Sequence, residues 1–169
     1  KFDRAKLEAD KEAAAAKIAA DKRAAAAFKA RKVAKTRAFF QAYYAGINGS
    51  EKLEDLRKKG EEFLADNKDD FQVLNQFAWD ALTNKNFKRR DYVLLTKVAK
   101  AAFKATKEKD AAIADTYARA LFDSGKQVEG IAMQRKAVAL AAEGAMKKDL
   151  ENTLKDYLKK AEKPKVERL

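Results

Sequence analysis

The chain contains no cysteine and no histidine. Their absence removes disulfides, Cys/His metal sites, thiol nucleophiles and imidazole acid–base chemistry. It is compatible with either redox compartment. One proline and six glycines among 169 residues leave too few turn formers for an all-β fold. Alanine supplies much of the hydrophobic content. Close helix–helix contacts are therefore expected in place of a thick aromatic core. No apolar run is long enough to span a bilayer. No phosphate loop, nucleophile elbow, metal motif or dinucleotide fingerprint occurs. The expectation is a chain that is not an enzyme, with no cofactor, no metal site and no catalytic residue.

What is present favours helix throughout: long stretches of Ala, Lys, Glu, Leu and Arg. The length suits one domain plus an extension, with enough chain for a core. The formal net charge is +12 and the pI about 9.7. That balance permits acidic proteins, nucleic acid or anionic lipid as partners and establishes none of them. The first residue is Lys1, which reads as a processed or partial chain from which any export signal is already gone.

Residues 1–35 are expected to form an Ala-rich basic helical arm or linker. Lys1 to Arg37 holds 12 basic and 5 acidic residues, so about +7 of the +12 lies there. Its large apolar residues (Phe2, Leu7, Ile18, Phe28, Val33) keep no clean heptad. A solvated connector, a self-association or partner-docking helix, and a polyanion-binding helix all remain open. Nucleic acid is disfavoured among these, because acidic residues interrupt the basic run and few aromatics are present to stack on bases. A membrane-surface helix would need a stronger apolar face.

From Thr36 the pattern changes. Phe39, Phe40, Tyr43 and Tyr44 share one helical face, and Asn48–Gly49 breaks the run. Ser50 is the expected N-cap of a helix carrying Leu53, Leu56, Phe63 and Leu64 inward. The next helix, 71–84, repeats Leu74, Phe77, Ala78, Ala81 and Leu82 at helical spacing. A polar loop, KNFKRR, follows it, and Lys88–Arg89–Arg90 reads as a solvated basic turn. Asp91 then caps a helix with Leu94, Leu95, Val98, Ala99, Ala102 and Phe103 inward. Two amphipathic segments flank a turn at Gly125. Small residues (Ala118, Ala120, Gly130, Ala137) stand where those helices must touch, with Tyr117, Leu121, Phe122, Ile131, Val138 and Leu140 between them. A helix from about Ala145 to Lys160 carries Leu150, Leu154, Tyr157 and Leu158 on one face, as a capping helix does. Pro164 stops it, and 161–169 is expected to be a flexible tail.

Few residues suggest chemistry. Asp69–Asp70 and Asp110 each precede an apolar-periodic run and read as helix N-caps. Asp115 and Arg119 are four apart on one helix, either a salt bridge or a polar contact in a groove. Trp79 is the sole tryptophan, and it is offset from the Leu74–Phe77–Ala78–Ala81 stripe. It is either a core residue or a groove-lining aromatic.

Helix pairs recurring at roughly 34 to 36 residues resemble tetratricopeptide-type repeats. With Gly125 placed on that family's turn glycine, Tyr117 falls at the first-helix Leu position and Ala118 at the small position. Leu121 falls at the aromatic position, and Gly130 and Ala137 at the two second-helix Ala positions. Gln134 departs from an expected aromatic and Ala142 from an expected proline. The preceding pair matches with Leu74, Phe77 and Ala78 once its turn is given about five extra residues. The resemblance implies an all-α right-handed solenoid of about three helical hairpins over 36–160, between a long N-terminal helix and a C-terminal capping helix.

The stretch from about 67 to 158 is also similar to the tail of certain bacterial exported thioredoxin-fold, thiol–disulfide oxidoreductase proteins. The similarity rests on the LN..AW segment, the RD dipeptide opening the next helix, and D-T-Y-A-R followed by a turn glycine and a Q.KA helix. Their redox domain has no counterpart in this sequence. That resemblance implies an exported or periplasmic location, with the cytoplasm as the alternative.

The function expected is a protein–protein interaction scaffold. First helices of such pairs line a groove, which would place Gln72, Asn75, Trp79, Leu82, Ala112, Asp115, Arg119 and Phe122 against a partner. Amides, one Arg and large apolar residues suit an extended peptide, and an acidic peptide or a C-terminal carboxylate suits the net charge. The alternatives are head-to-tail self-association through the N-terminal helix, and the tail of a larger exported oxidoreductase.

Overall fold

The structure, a computed structural model, describes residues 4–162. The expected stop at Pro164 and residues 163–169 of the expected tail lie outside the described residues, while Ala161 belongs to the last helix. Among those described, seven α-helices account for all the regular structure. They are α1 (Arg4–Asn48), α2 (Leu53–Asp66), α3 (Phe71–Thr83), α4 (Tyr92–Ala105), α5 (Ala111–Asp123), α6 (Gln127–Leu140) and α7 (Ala145–Ala161). No helix of the described residues is long and apolar enough to cross a membrane.

The chain divides into two compact units between Phe39 and Phe40. Among its described residues, 4–39, the first unit is helix alone. Its Ala-rich sequence, without glycine or proline, sustains α1 without a break. Leu7, Ile18, Phe28 and Val33 are all exposed along it.

The second unit begins with the last turns of α1. Helices α3 to α7 each pack on the next in sequence, and α2 on α4 and α3 on α5 pack one step further along. Side-chain caps start three of them. Asp70 accepts from the Val73 amide, Asp91 from Leu94 and Asp110 from Ile113. Each satisfies an amide that has no partner within its own helix. Ser50 does not act as the expected cap. Helix α2 starts after Lys52, in extended backbone with no side-chain cap.

The turn at Gly125 closes α5 with both bonds of a Schellman motif: Lys126 N to Leu121 O at 3.0 Å and Gly125 N to Phe122 O at 3.1 Å. Its φ of +90° suits glycine and few other residues. At Gly130 the need is for space. A Cβ there would lie 2.8 Å from both the Cβ and the amide nitrogen of Phe122, so α5 and α6 touch through this glycine.

Alanine lines the helix contacts, as expected: Ala78, Ala99, Ala102, Ala114 and Ala118 are fully buried. One end of the unit departs from that expectation and is thickly aromatic. Phe77 lies 5.5 Å from Phe40, 4.9 Å from Tyr43 and 5.3 Å from Phe63, ring centre to ring centre, and Tyr44 lies 4.8 Å from Phe87. Such pairs add to the burial of their area.

The basic turn is not simply solvated. Arg89 donates from Nε to Ile47 O at 3.0 Å, and from Nη2 to Gly46 O at 2.9 Å, Gly49 O at 3.2 Å and Glu51 O. Arg90 donates to Ala81 O at 3.0 Å and Asn84 O at 2.7 Å. Neither α1 nor α3 carries a basic residue in its last turn. The two arginines supply the cation and the donors those carbonyl ends lack. They also account for the long α3–α4 connection, which has to place Arg89 and Arg90 on two different helix ends. By engaging Gly49 O and Glu51 O, Arg89 also holds the chain extended past Ser50. Only Lys88 keeps an exposed side chain. Next to this loop, buried Asp91 receives Arg57 from α2 at 2.7 and 3.1 Å, tying α2 to the start of α4.

Candidate functional site

Helices α3 and α5 are both 13 residues long and begin 40 residues apart. Each starts with a capping aspartate, so equivalent positions differ by 40: Gln72 with Ala112, Asn75 with Asp115, Trp79 with Arg119, and Leu82 with Phe122. The two helices pack on each other. The equivalence is physical at one pair, where the Arg119 guanidinium carbon lies 5.5 Å from the centre of the Trp79 ring. That is cation–π range. Trp79 is 38% exposed, so it is a surface aromatic and not a core residue.

Not all the expected groove residues share this surface. Gln72 is exposed, and Asn75, Asp115 and Arg119 are half-buried. Leu82 is 4% exposed and Phe122 8%, so both belong to the core. Three residues on from Trp79 or Arg119, a helix has turned by about 60°. That rotation carries positions 82 and 122 inward. Phe122 stacks on Tyr157 of α7 at 4.0 Å, against Ala118. Ala112 is exposed and offers only a methyl group.

Of the two readings of Asp115 and Arg119, the salt bridge does not form. Among the described residues no ion pair or hydrogen bond involves Arg119, and its buried Nε has no partner. The side chain lies on Trp79 instead. Its fork of donors, which matches a carboxylate in shape, is unused. One turn back, Asn75 Oδ1 and Asp115 Oδ1 are buried without partners. Burial pushes the Asp115 carboxyl above its ordinary value, with Gln134 and Arg119 pulling the other way.

Two further residues complete this polar layer and escaped the reading of the sequence. Gln134 of α6 is fully buried. Its amide donates to Leu150 O at 3.2 Å, and its Oε1 has no partner. Tyr157 is 4% exposed with an unpartnered hydroxyl, and burial raises its pKa. The visible signal for Gln134 was its departure from the repeat's usual aromatic. Nothing in the pattern around Tyr157 distinguishes it from a core aromatic.

The arrangement offers donors and acceptors without an obvious reaction. No group of three acidic residues that could hold a metal occurs among the described residues. What it can do is bind: a planar cation on an indole face, beside amide and carboxylate oxygens. Comparison with protein-family models, with curated proteins and with solved structures finds no match to this chain.

Proposed function

We propose that this chain is a non-catalytic binding module that holds an extended, carboxylate-bearing peptide segment of a partner protein along α3 and α5. In this reading the second unit is a tetratricopeptide-like right-handed repeat, and α3 and α5 are the first helices of successive pairs. One observation carries the proposal. The half-buried guanidinium of Arg119 has no acceptor and lies against the half-exposed ring of Trp79. A buried cationic donor without a partner costs free energy, so a ligand that supplies the acceptor recovers it. Asn75 and Gln72, one and two turns back on α3, suit the amide and carbonyl groups of an extended backbone.

The test uses the sole tryptophan as its reporter. A hexapeptide containing two glutamates and a free C-terminus is titrated against the full chain, following Trp79 fluorescence and heat. An amidated analogue with glutamine in place of glutamate serves as the uncharged control. The acidic peptide is expected to bind and to change Trp79 emission as Arg119 leaves the ring. Arg119→Ala combined with Asn75→Ala should weaken binding by tenfold or more (~1.4 kcal/mol per tenfold) with unfolding unchanged. Equal affinity for wild type and double variant, or for the two peptides, rejects this groove.

A further inference from the structure

The strongest charged feature outside the groove lies on α1. Its acidic residues, Glu8, Asp10, Glu12 and Asp21, end at position 21. From Lys22 to Ser50 there is no Asp or Glu, while Lys22, Arg23, Lys29, Arg31, Lys32, Lys35 and Arg37 bring seven positive charges into 16 residues. Lys22, Arg23, Lys29, Arg31 and Arg37 are all exposed, and none makes an ion pair among the described residues. The intervening positions are mostly alanine: 24 to 27, 30 and 34.

The geometry points to duplex nucleic acid as the partner of this helix, bound through its phosphates with the helix lying in the major groove. The acidic residues that count against a polyanion all lie before the stretch concerned, and a duplex is held without base stacking. Sixteen helical residues span about 24 Å, so one cation falls every 3 to 4 Å of helix. A duplex presents about one phosphate per 1.7 Å of its axis, so acceptors outnumber these cations along the whole length. A helix with side chains is about 10–12 Å across and the major groove about 12 Å wide. Alanine at most of the remaining positions keeps this helix slender.

The charges lie around the helix and not on one face. A groove, with a phosphate chain on either flank, can use such a distribution. A flat membrane can use only one side of it. Phe28 and Val33 are five residues apart, about 140° around the helix, so a bilayer could not take up both. Self-pairing of this segment would oppose like charges. No Asn or Gln lies between Lys22 and Arg37 to read adenine edges.

The experiment measures binding of the full chain to a labelled 24-base-pair duplex by fluorescence anisotropy between 50 and 200 mM salt. If the five unpaired cations each neutralise a phosphate, the log–log salt slope is about −4.5 and affinity falls roughly 500-fold across that range. Replacing Lys22, Arg23, Lys29, Arg31 and Arg37 with glutamine keeps helix propensity and should abolish most of the binding and flatten the slope. Circular dichroism confirms that α1 persists in that variant. A control with Lys85, Lys100, Lys109, Lys148 and Lys155 changed to glutamine removes the same charge from the second unit, and it should bind nearly as wild type does. Absence of binding at 50 mM salt overturns the inference, as do equal losses in the two variants. Tighter binding to phosphatidylserine–phosphatidylcholine vesicles than to the duplex overturns it in favour of a membrane surface.

Discussion

Replacing Arg89 with alanine should cost this protein far more than replacing its neighbour Lys88. Arg89 donates to the carbonyls of Gly46, Ile47, Gly49 and Glu51, at the point where α1 ends. Hydrogen bonds from a charged donor contribute about 1.5–3 kcal/mol each, but one guanidinium shared among four acceptors gives less than their sum. The helix-end charge adds about 0.3–1 kcal/mol. A loss of about 3 kcal/mol is expected, which for a chain of this length lowers Tm by about 9 °C. Lys88 contributes its backbone amide to Asn48 Oδ1 at 3.3 Å, and its side chain is exposed. Lys88→Ala keeps that bond and should fall within about 0.5 kcal/mol of wild type. Arg89→Lys retains the charge without the fork and should lose an intermediate amount. Urea unfolding followed through Trp79 fluorescence, which reports from α3, measures all three. If Arg89→Ala and Lys88→Ala unfold at the same midpoint, the capping role of Arg89 is wrong.

Gly130→Val should destabilise by about 1–3 kcal/mol or more, since its Cβ would press on the Phe122 backbone, which cannot rotate away. Thermal unfolding indistinguishable from wild type would show that α5 and α6 do not approach so closely. Asp115→Asn should raise stability at pH 7. A carboxyl raised by burial binds its proton more tightly folded than unfolded, so stability falls as pH rises from its ordinary value of 3.8 through the raised one. The advantage of Asp115→Asn should therefore shrink on acidification and vanish below pH 3.8. A Tm difference that stays constant from pH 7 to pH 3.5 contradicts burial of that charge.

Most helix starts and stops were legible because they depend on neighbours in sequence; the start of α2, where Ser50 does not cap, was not. Asp70, Asp91 and Asp110 cap amides three residues ahead, and Gly125 closes its turn through its own φ. The inward stripes of α3 and α4 follow from helical spacing, and the five extra residues expected in the α3–α4 connection are present between Thr83 and Tyr92. The thickly aromatic end was not expected from a hydrophobic content made up so largely of alanine. Composition counts rings but does not say that six of them meet.

What a side chain does with a partner some 40 residues away is not written in local pattern. Lys88, Arg89 and Arg90 look alike as a basic run, yet two of them end separate helices and one meets water. Asp115 and Arg119 have the spacing of an ion pair, but the indole of Trp79 offers the guanidinium another surface, so the bond does not form. Leu82 and Phe122 follow Trp79 and Arg119 by three residues; helical spacing already sets Leu82 in the inward stripe of α3, and both are buried in the core, not in the groove. Capping and periodicity act within a few residues, so the sequence by itself determined the helices. Which polar groups are left without partners depends on how those helices meet, and the tertiary structure alone decided that.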